Sequence, residues 1–169
     1  MRLPLAAIKR AGSVYQTQNA RLAASRFYFL LTEEIMPVRG VRGAIVAEDN
    51  QPEAILSATQ ELLRAMLLAN PSLQPAELAS VFFTMTEDLD ATYPALAARE
   101  MGWDNVPFLC GREIPVPDGQ RRCIRALLHW NTDLAQDEVR HVYLGEAASL
   151  RPDLASKTSQ YFQIINMGE

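Results

Sequence analysis

Residues 106–125 read V-P-F-L-C-G-R-E-I-P-V-P-D-G-Q-R-R-C-I-R, and the pattern of this stretch decides the fold. Residues 106–110 predict one strand; Pro115, Pro117, Asp118 and Gly119 make a turn-rich crossing; a second strand opens near Arg122. Period-two alternation then sets Ile124, Ala126, Leu128 and Trp130 on one face, and Arg125, Leu127 and His129 on the other. A guanidinium therefore stands inside an otherwise apolar strand, with Cys110 and Glu113 just upstream. Such a charge requires an anion, because burying it unpaired is costly. The anion is either a protein carboxylate or a bound substrate, and the neighbouring residues favour the substrate.

Working outward, residues 38–47 (V-R-G-V-R-G-A-I-V-A) predict a strand carrying Arg39 and Arg42. Asp49 and Asn50 are candidate caps for the next helix, and Pro52 suits its first turn. Ile55, Leu56, Leu62, Leu63, Met66 and Leu67 recur at helical spacing, so an amphipathic helix is expected over 52–69. Asn70-Pro71 ends it. A short helix opening at Pro75 and Glu77, a buried strand over 81–86 and a helix from Thr92-Tyr93-Pro94 through Arg99 to Met101 follow. Beyond the two central strands, 137–141 predicts a helical turn leading into 142–151. Pro152 is expected to break the pattern, and 156–169 to form a polar tail.

Strands separated by helices give an α/β or α+β domain with a mixed sheet. Two substantial helices cover one sheet face, so the opposite face is expected to need a partner subunit. Three segments are expected: an N-terminal extension over 1–35, the functional domain over 36–155 and a tail over 156–169. The extension is basic and free of acids until Glu33. It reads as an organelle transit peptide or, preferably, as an extension upstream of a true start at Met36. In either case it is expected to be disordered and outside the chemistry.

The 169 residues suffice for one domain with its own core, and 49% hydrophobic with 21% charged residues fits a globular chain. Five of the 16 basic residues precede Glu33, leaving 11 against all 20 acids. An acidic body argues against a nucleic-acid footprint. No run approaches the roughly eighteen apolar residues of a membrane span. Cys110 and Cys123 make no disulfide framework, and with His129 and His141 they show no zinc spacing. Two buried, reduced thiols fit a cytoplasmic location.

There is no G-x-G-x-x-G after a strand, no phosphate-binding loop and no nucleophile elbow. What remains is Arg42, Arg99, Arg125 and Arg151, each beside apolar or small residues, with Glu113, Cys110 and Tyr143. For any one arginine a structural salt bridge is the ordinary role. Together, forks that bind carboxylates bidentately suit a small di-acid.

The motifs V-R-G-V-R-G-A at 38–44, A-L-A-A-R-E-M-G-W at 95–103, V-P-F-L-C-G-R-E at 106–113, C-I-R at 123–125, R-H-V-Y-L at 140–144 and L-R-P-D at 150–153 strongly resemble the monofunctional chorismate mutases of the AroH class. The resemblance runs over 38–154 and keeps order and spacing. It implies a trimeric pseudo-α/β-barrel with active sites between subunits. It also implies the Claisen rearrangement of chorismate to prephenate, without cofactor or metal. Carried across by motif, Arg125 would bond the ether oxygen, and Arg42 and Tyr143 the carboxylate. Glu113 and Cys110 would meet the ring hydroxyl side, while Arg99 and Arg151 would add positive potential at the mouth. Tyr93, Ala95, Phe108, Leu109 and Leu150 would form walls. Leu96, where such proteins often carry lysine, the bulky Phe108-Leu109 and the loop Pro117-Asp118-Gly119 depart from the pattern. A carboxylate-binding protein without turnover, or a trimer that pairs its arginines internally, are the competing readings.

Overall fold

A computed structural model describes residues 36–166 of the chain. The expectations for 1–35 and for the end of the tail lie outside the described residues. The elements follow one another as β1 (Val38–Val46), α1 (Pro52–Ala69), a 3-10 turn (Pro75–Glu77), β2 (Leu78–Met85), α2 (Pro94–Glu100), β3 (Phe108–Arg112), β4 (Cys123–Asn131), β5 (Val142–Tyr143), a second 3-10 turn (Gly145–Leu150) and α3 (Pro152–Asn166). The strands form one mixed sheet in the order β3-β2-β4-β1-β5.

The alternation expected for β4 holds. β1 and β4 pair antiparallel from Val38 opposite Asn131 to Val46 opposite Cys123. This register puts Val41 and Ile45 on the same face as Ile124, Ala126, Leu128 and Trp130. β2 adds Val81 and Phe83 to that face by pairing antiparallel with β4, with an irregularity between Leu78 and Ser80. β3 and β5 join parallel to β2 and β1, respectively.

Helix α1 lies on this apolar face because Ile55, Leu62, Leu63 and Met66 repeat at its period, and all four are fully buried. Each such side chain contributes about 1.5–3 kcal/mol relative to exposure. Pro52 opens the helix, and Glu53 in the first turn complements its dipole. The expected cap is not made: the N-cap is Gln51, with no side-chain bond. Asn50 instead bridges to the segment before α2, its Nδ2 donating to Asp90 Oδ1 at 2.8 Å and its Oδ1 accepting from the N–H groups of Asp90 and Ala91. At the other end Asn70 is buried and ties the helix to the 132–141 loop. Its Nδ2 donates to the carbonyls of Met66 and Arg140, and its Oδ1 accepts the Arg140 N–H, each at 2.9 Å. Helix α2 presents Ala95, Ala97 and Ala98 inward, and these small residues let it seat against α1 and the sheet.

The C-terminal segment departs from expectation. Pro152 does not break the chain but opens α3, which continues through the supposed polar tail. Proline is tolerated there because the first-turn N–H has no helical partner to lose. Ala155 and Leu154 then pack against Ala44, Cys123, Tyr143 and Ala147 on the second sheet face. That face is thus partly covered at its β1–β5 end, while Phe82 and Leu109 stay 41% and 57% exposed.

Helix α1 approaches the sheet closely at Gly43. A Cβ there would stand 2.6 Å from Met66 Sδ and 3.0 Å from Leu62 Cδ1, both on fully buried side chains. Gly43→Ala should therefore lower stability by about 1–3 kcal/mol, as expected for overpacking. Urea unfolding of the two proteins measures this; an unchanged midpoint would mean that α1 does not press on β1 here.

Candidate active site

The second face carries Arg125, Arg42 and Tyr143. Gly111, Thr84, Arg125, Ala44 and Tyr143 form one row across β3, β2, β4, β1 and β5. Arg42 stands one step along, opposite Leu127. Neighbouring strands are about 4.8 Å apart, so Arg125 and Tyr143 are separated by roughly 10 Å of sheet.

Arg125 finds its anion within the chain. Its guanidinium pairs with Glu113, both side chains partly exposed at 30% and 23%. The Thr84 hydroxyl donates to the other oxygen of the same carboxylate. Glu113 is held from beyond the end of β3, its N–H donating to the Met85 carbonyl at 2.9 Å. Glu113 and Arg125 line a cavity of about 660 Å³ with Thr86, Asp88 and the 114–121 loop. That volume lies in the range of small-molecule sites. A second cleft, of about 590 Å³, lies at the end of α1 beside the 134–141 loop and contains none of the residues predicted from the sequence to form the site.

Asp88 anchors the cavity floor. Burial pushes its carboxyl up, but the Thr86 hydroxyl, the Arg122 N–H and the Arg121 side chain outweigh that and hold it below the usual carboxylate range. Two of these bonds run from Arg122 N–H to the carboxylate oxygens at 3.0 and 3.1 Å. They fix Arg122 at φ 48, a left-handed conformation unusual for a side-chain-bearing residue, immediately before β4 begins.

At the β5 end, Tyr143 is 6% exposed, and its hydroxyl is the only buried side-chain polar atom without a hydrogen-bond partner among the described residues. Leaving such a group unsatisfied costs about 1–3 kcal/mol. The Arg42 N–H donates to His141 Nδ1 at 3.1 Å. Burial, and then the charges of Arg42 and Arg151, hold the His141 imidazole below its ordinary 6.5. Arg151 is itself bound bidentately to Asp153 at 2.9 and 2.7 Å. Leu150 is half-buried in the small cluster around Tyr143.

The other expected residues are not brought together with these. Tyr93, the N-cap of α2 and 69% exposed, and Arg99, in its last turn, lie on the helix-covered side of the sheet. Arg99 stacks over the Phe108 ring, 5.4 Å from its centroid. Ala95 is in the main core, where a wall position was expected, and Phe108 packs against that core. Leu109 alone of the pair before the cysteine faces the open side, beside Phe82. The Cys110 side chain also belongs to the core face, opposite Phe83. The bonds Val81 N–H to Pro107 and Glu113 N–H to Met85 set odd-numbered residues of β3 against β2. Cys110 therefore turns its N–H and C=O outward along the free edge of the sheet.

Neither Thr84 nor His141 is among the site residues expected from the sequence. Period-two reasoning identifies the faces of one strand, but Thr84 meets Glu113 only through the β2–β3 register.

Residues 38–154 match the family model described as chorismate mutase type I. The chain is 58% identical over 119 residues to chorismate mutase AroH of Thermus thermophilus, covering 70% of this chain and 98% of that protein. It is 40% identical over 121 residues to chorismate mutase AroH of Bacillus subtilis (strain 168), covering 71% and 94%. The solved chorismate mutase from Clostridium thermocellum, Cth-682, superposes with a TM-score of 0.63 at 42% identity, over 65% of this chain and 97% of that one.

The lowered His141 pKa has a definite sign. Below about pH 6.5 the unfolded imidazole takes a proton before the folded one, so stability present above that pH is lost as pH falls through the folded value. His141→Asn, which keeps an acceptor but not the titration, should flatten this loss between pH 7.5 and 5, read as thermal midpoints. Parallel profiles for the two proteins would exclude His141 as its source.

Proposed function

The chain belongs to the type I chorismate mutases, isomerases that convert chorismate to prephenate in aromatic amino-acid biosynthesis, and we propose how its side chains perform the reaction. The observation that carries the reading is the Arg125–Glu113 pair, standing in one row of the open face with the unpartnered Tyr143 hydroxyl. The rearrangement is concerted within one molecule: the ether C–O bond breaks as a C–C bond forms. No proton, electron or group leaves, so neither base nor nucleophile is required.

Two effects remain for the protein to supply. One is orientation, holding the enolpyruvyl arm over the ring so that the reacting carbons meet. Arg42 and the Tyr143 hydroxyl hold a substrate carboxylate at one end of the row. Glu113, with the outward N–H of Cys110 in place of its thiol, meets the ring hydroxyl at the other. The second effect is electrostatic. The ether oxygen gains negative charge as its bond breaks, and Arg125 donates to it. Because the guanidinium is already fixed by Glu113, this stabilises the transition state more than the ground state. Arg42 and Arg151, whose charges act after burial in holding His141 low, add positive potential for an anionic substrate.

The assembly proposed is a homotrimer, a pseudo-α/β-barrel with a site between each pair of neighbours. Two features support it. The open face keeps Phe82 and Leu109 exposed, and a sheet face of this kind is stable against another apolar surface. Tyr93, Leu96 and Arg99 lie on the far side of the sheet from Arg125, so another subunit is what would bring the two groups together. Leu96, 39% exposed, is then a neutral residue at the site's mouth. A cytoplasmic location is proposed from the two free thiols; burial pushes the Cys123 thiol up, keeping it unreactive. Among the described residues no helix is long and apolar enough to cross a membrane.

Arg125→Ala should lose about 3–4 kcal/mol of transition-state stabilisation, a drop of 10²–10³ in kcat. The loss of chorismate absorbance in the ultraviolet follows turnover directly. Near wild-type turnover would remove Arg125 from its role. The shared site has its own test. Mixing Arg125→Ala chains with Arg99→Ala chains, each inactive alone, should restore about a quarter of the sites in randomly mixed rings. No recovery after confirmed subunit exchange would place both arginines in one chain's site.

A further inference from the structure

We propose that Thr84 is a positioning residue of the rearrangement, holding the Glu113 carboxylate so that Arg125 presents its guanidinium to the ether oxygen. The inference rests on the roles proposed above for Arg125 and Glu113. Thr84 and Arg125 are paired directly across β2 and β4, so their side chains leave the open face side by side. Glu113 reaches the same point from beyond β3, its own backbone tethered to Met85. The two oxygens of the carboxylate are then divided: Oε1 takes the Thr84 hydroxyl, and Oε2 takes the guanidinium.

A glutamate held by one donor alone turns about its terminal torsion, which has a broad energy well. Held by donors from two strands, it keeps one orientation, and so does the guanidinium paired with it. Threonine suits the task because its branched Cβ restricts χ1 and aims the hydroxyl. Thr84 is half-buried, its side chain leaves the sheet on the open face, and it belongs to neither apolar cluster. Packing therefore does not account for the hydroxyl. Next to it, a Cβ at Gly111 would meet only the Thr84 methyl, at 3.7 Å, so the β3 side of the hydroxyl is open to a ligand.

The test is Thr84→Val, which keeps the branched shape and removes the donor, with Thr84→Ser as the rescue. Thr84→Val should lower kcat about tenfold, while KM moves less than about twofold and the thermal midpoint stays close to wild type; Thr84→Ser should restore kcat. A cycle with Glu113→Gln separates positioning from a merely structural role. If Thr84 acts through the carboxylate, Thr84→Val adds little once Glu113 is Gln. The same tenfold loss in both backgrounds, an unchanged kcat in Thr84→Val, or failure of Ser to rescue would each overturn the inference. Should Thr84→Val not fold, Thr84→Ala in the same cycle gives the same reading. If Arg125→Ala and Glu113→Gln themselves leave kcat intact, the proposed site fails. If they do not and Thr84→Val does, this inference alone fails.

Discussion

Everything at the site depends on the antiparallel register between β1 and β4. Nine consecutive pairs, from Val38 with Asn131 to Val46 with Cys123, decide which side of the sheet each residue occupies. A slip by one residue would drive Arg125 under α1 and lift Ile124 and Leu128 into water. The register is protected by what lies on its inner side. Trp130, Leu128, Ile124, Val41 and Ile45 are all buried against α1, and each would have to be exposed to reach the alternative pairing. The hydrophobic core thus acts on function by keeping a charge on the opposite face.

On that outer face the charges are arranged without deep burial. Arg125 and Glu113 remain partly exposed, so their pairing avoids the large desolvation penalty of an interior ion pair. Arg151 is occupied by Asp153, whereas the buried Tyr143 hydroxyl has no partner. The face combines a guanidinium held by its own carboxylate with a buried hydroxyl that has no partner within the chain. Such an arrangement orients a small anion more than it binds one tightly, which suits a reaction whose barrier is mostly geometry and charge separation.

Much of this was legible in the residues, and the limits follow physical lines. The faces of β4 and the apolar stripe of α1 depend on spacing within one element, so they could be read from spacing alone. Glu113, Arg42 and Tyr143 stand out by residue type, and motif resemblance then gives them the roles that no local period would have connected. Errors arose where a residue's partner lay far along the chain. Asn50 was read as a helix cap, but its amide is taken by Asp90 and Ala91, forty residues on. Pro152 was read as a stop because proline ends helices, although it equally opens them. Motif position makes Ala95 a wall of the site, but α2 buries it in the core; Cys110, expected on the ring hydroxyl side, has its side chain turned to the core face by the β2–β3 register. Thr84 carried no motif and was visible only once β2, β3 and β4 were aligned.

The central place of β1 also bears on how the chain emerges from the ribosome. β1, the first strand among the described residues, is flanked by β4 and β5, both beyond residue 122, so neither of its edges gains its partner in this sheet until most of the chain has been translated. At 5–20 residues per second, the interval of nearly 80 residues lasts roughly 4–16 s. During it, Val41 and Ile45 lie on a strand without the two neighbours that flank it in the finished sheet. The nascent chain must pass through a state with an unpaired, apolar strand near its beginning, and that interval is when a holding chaperone would have something to bind.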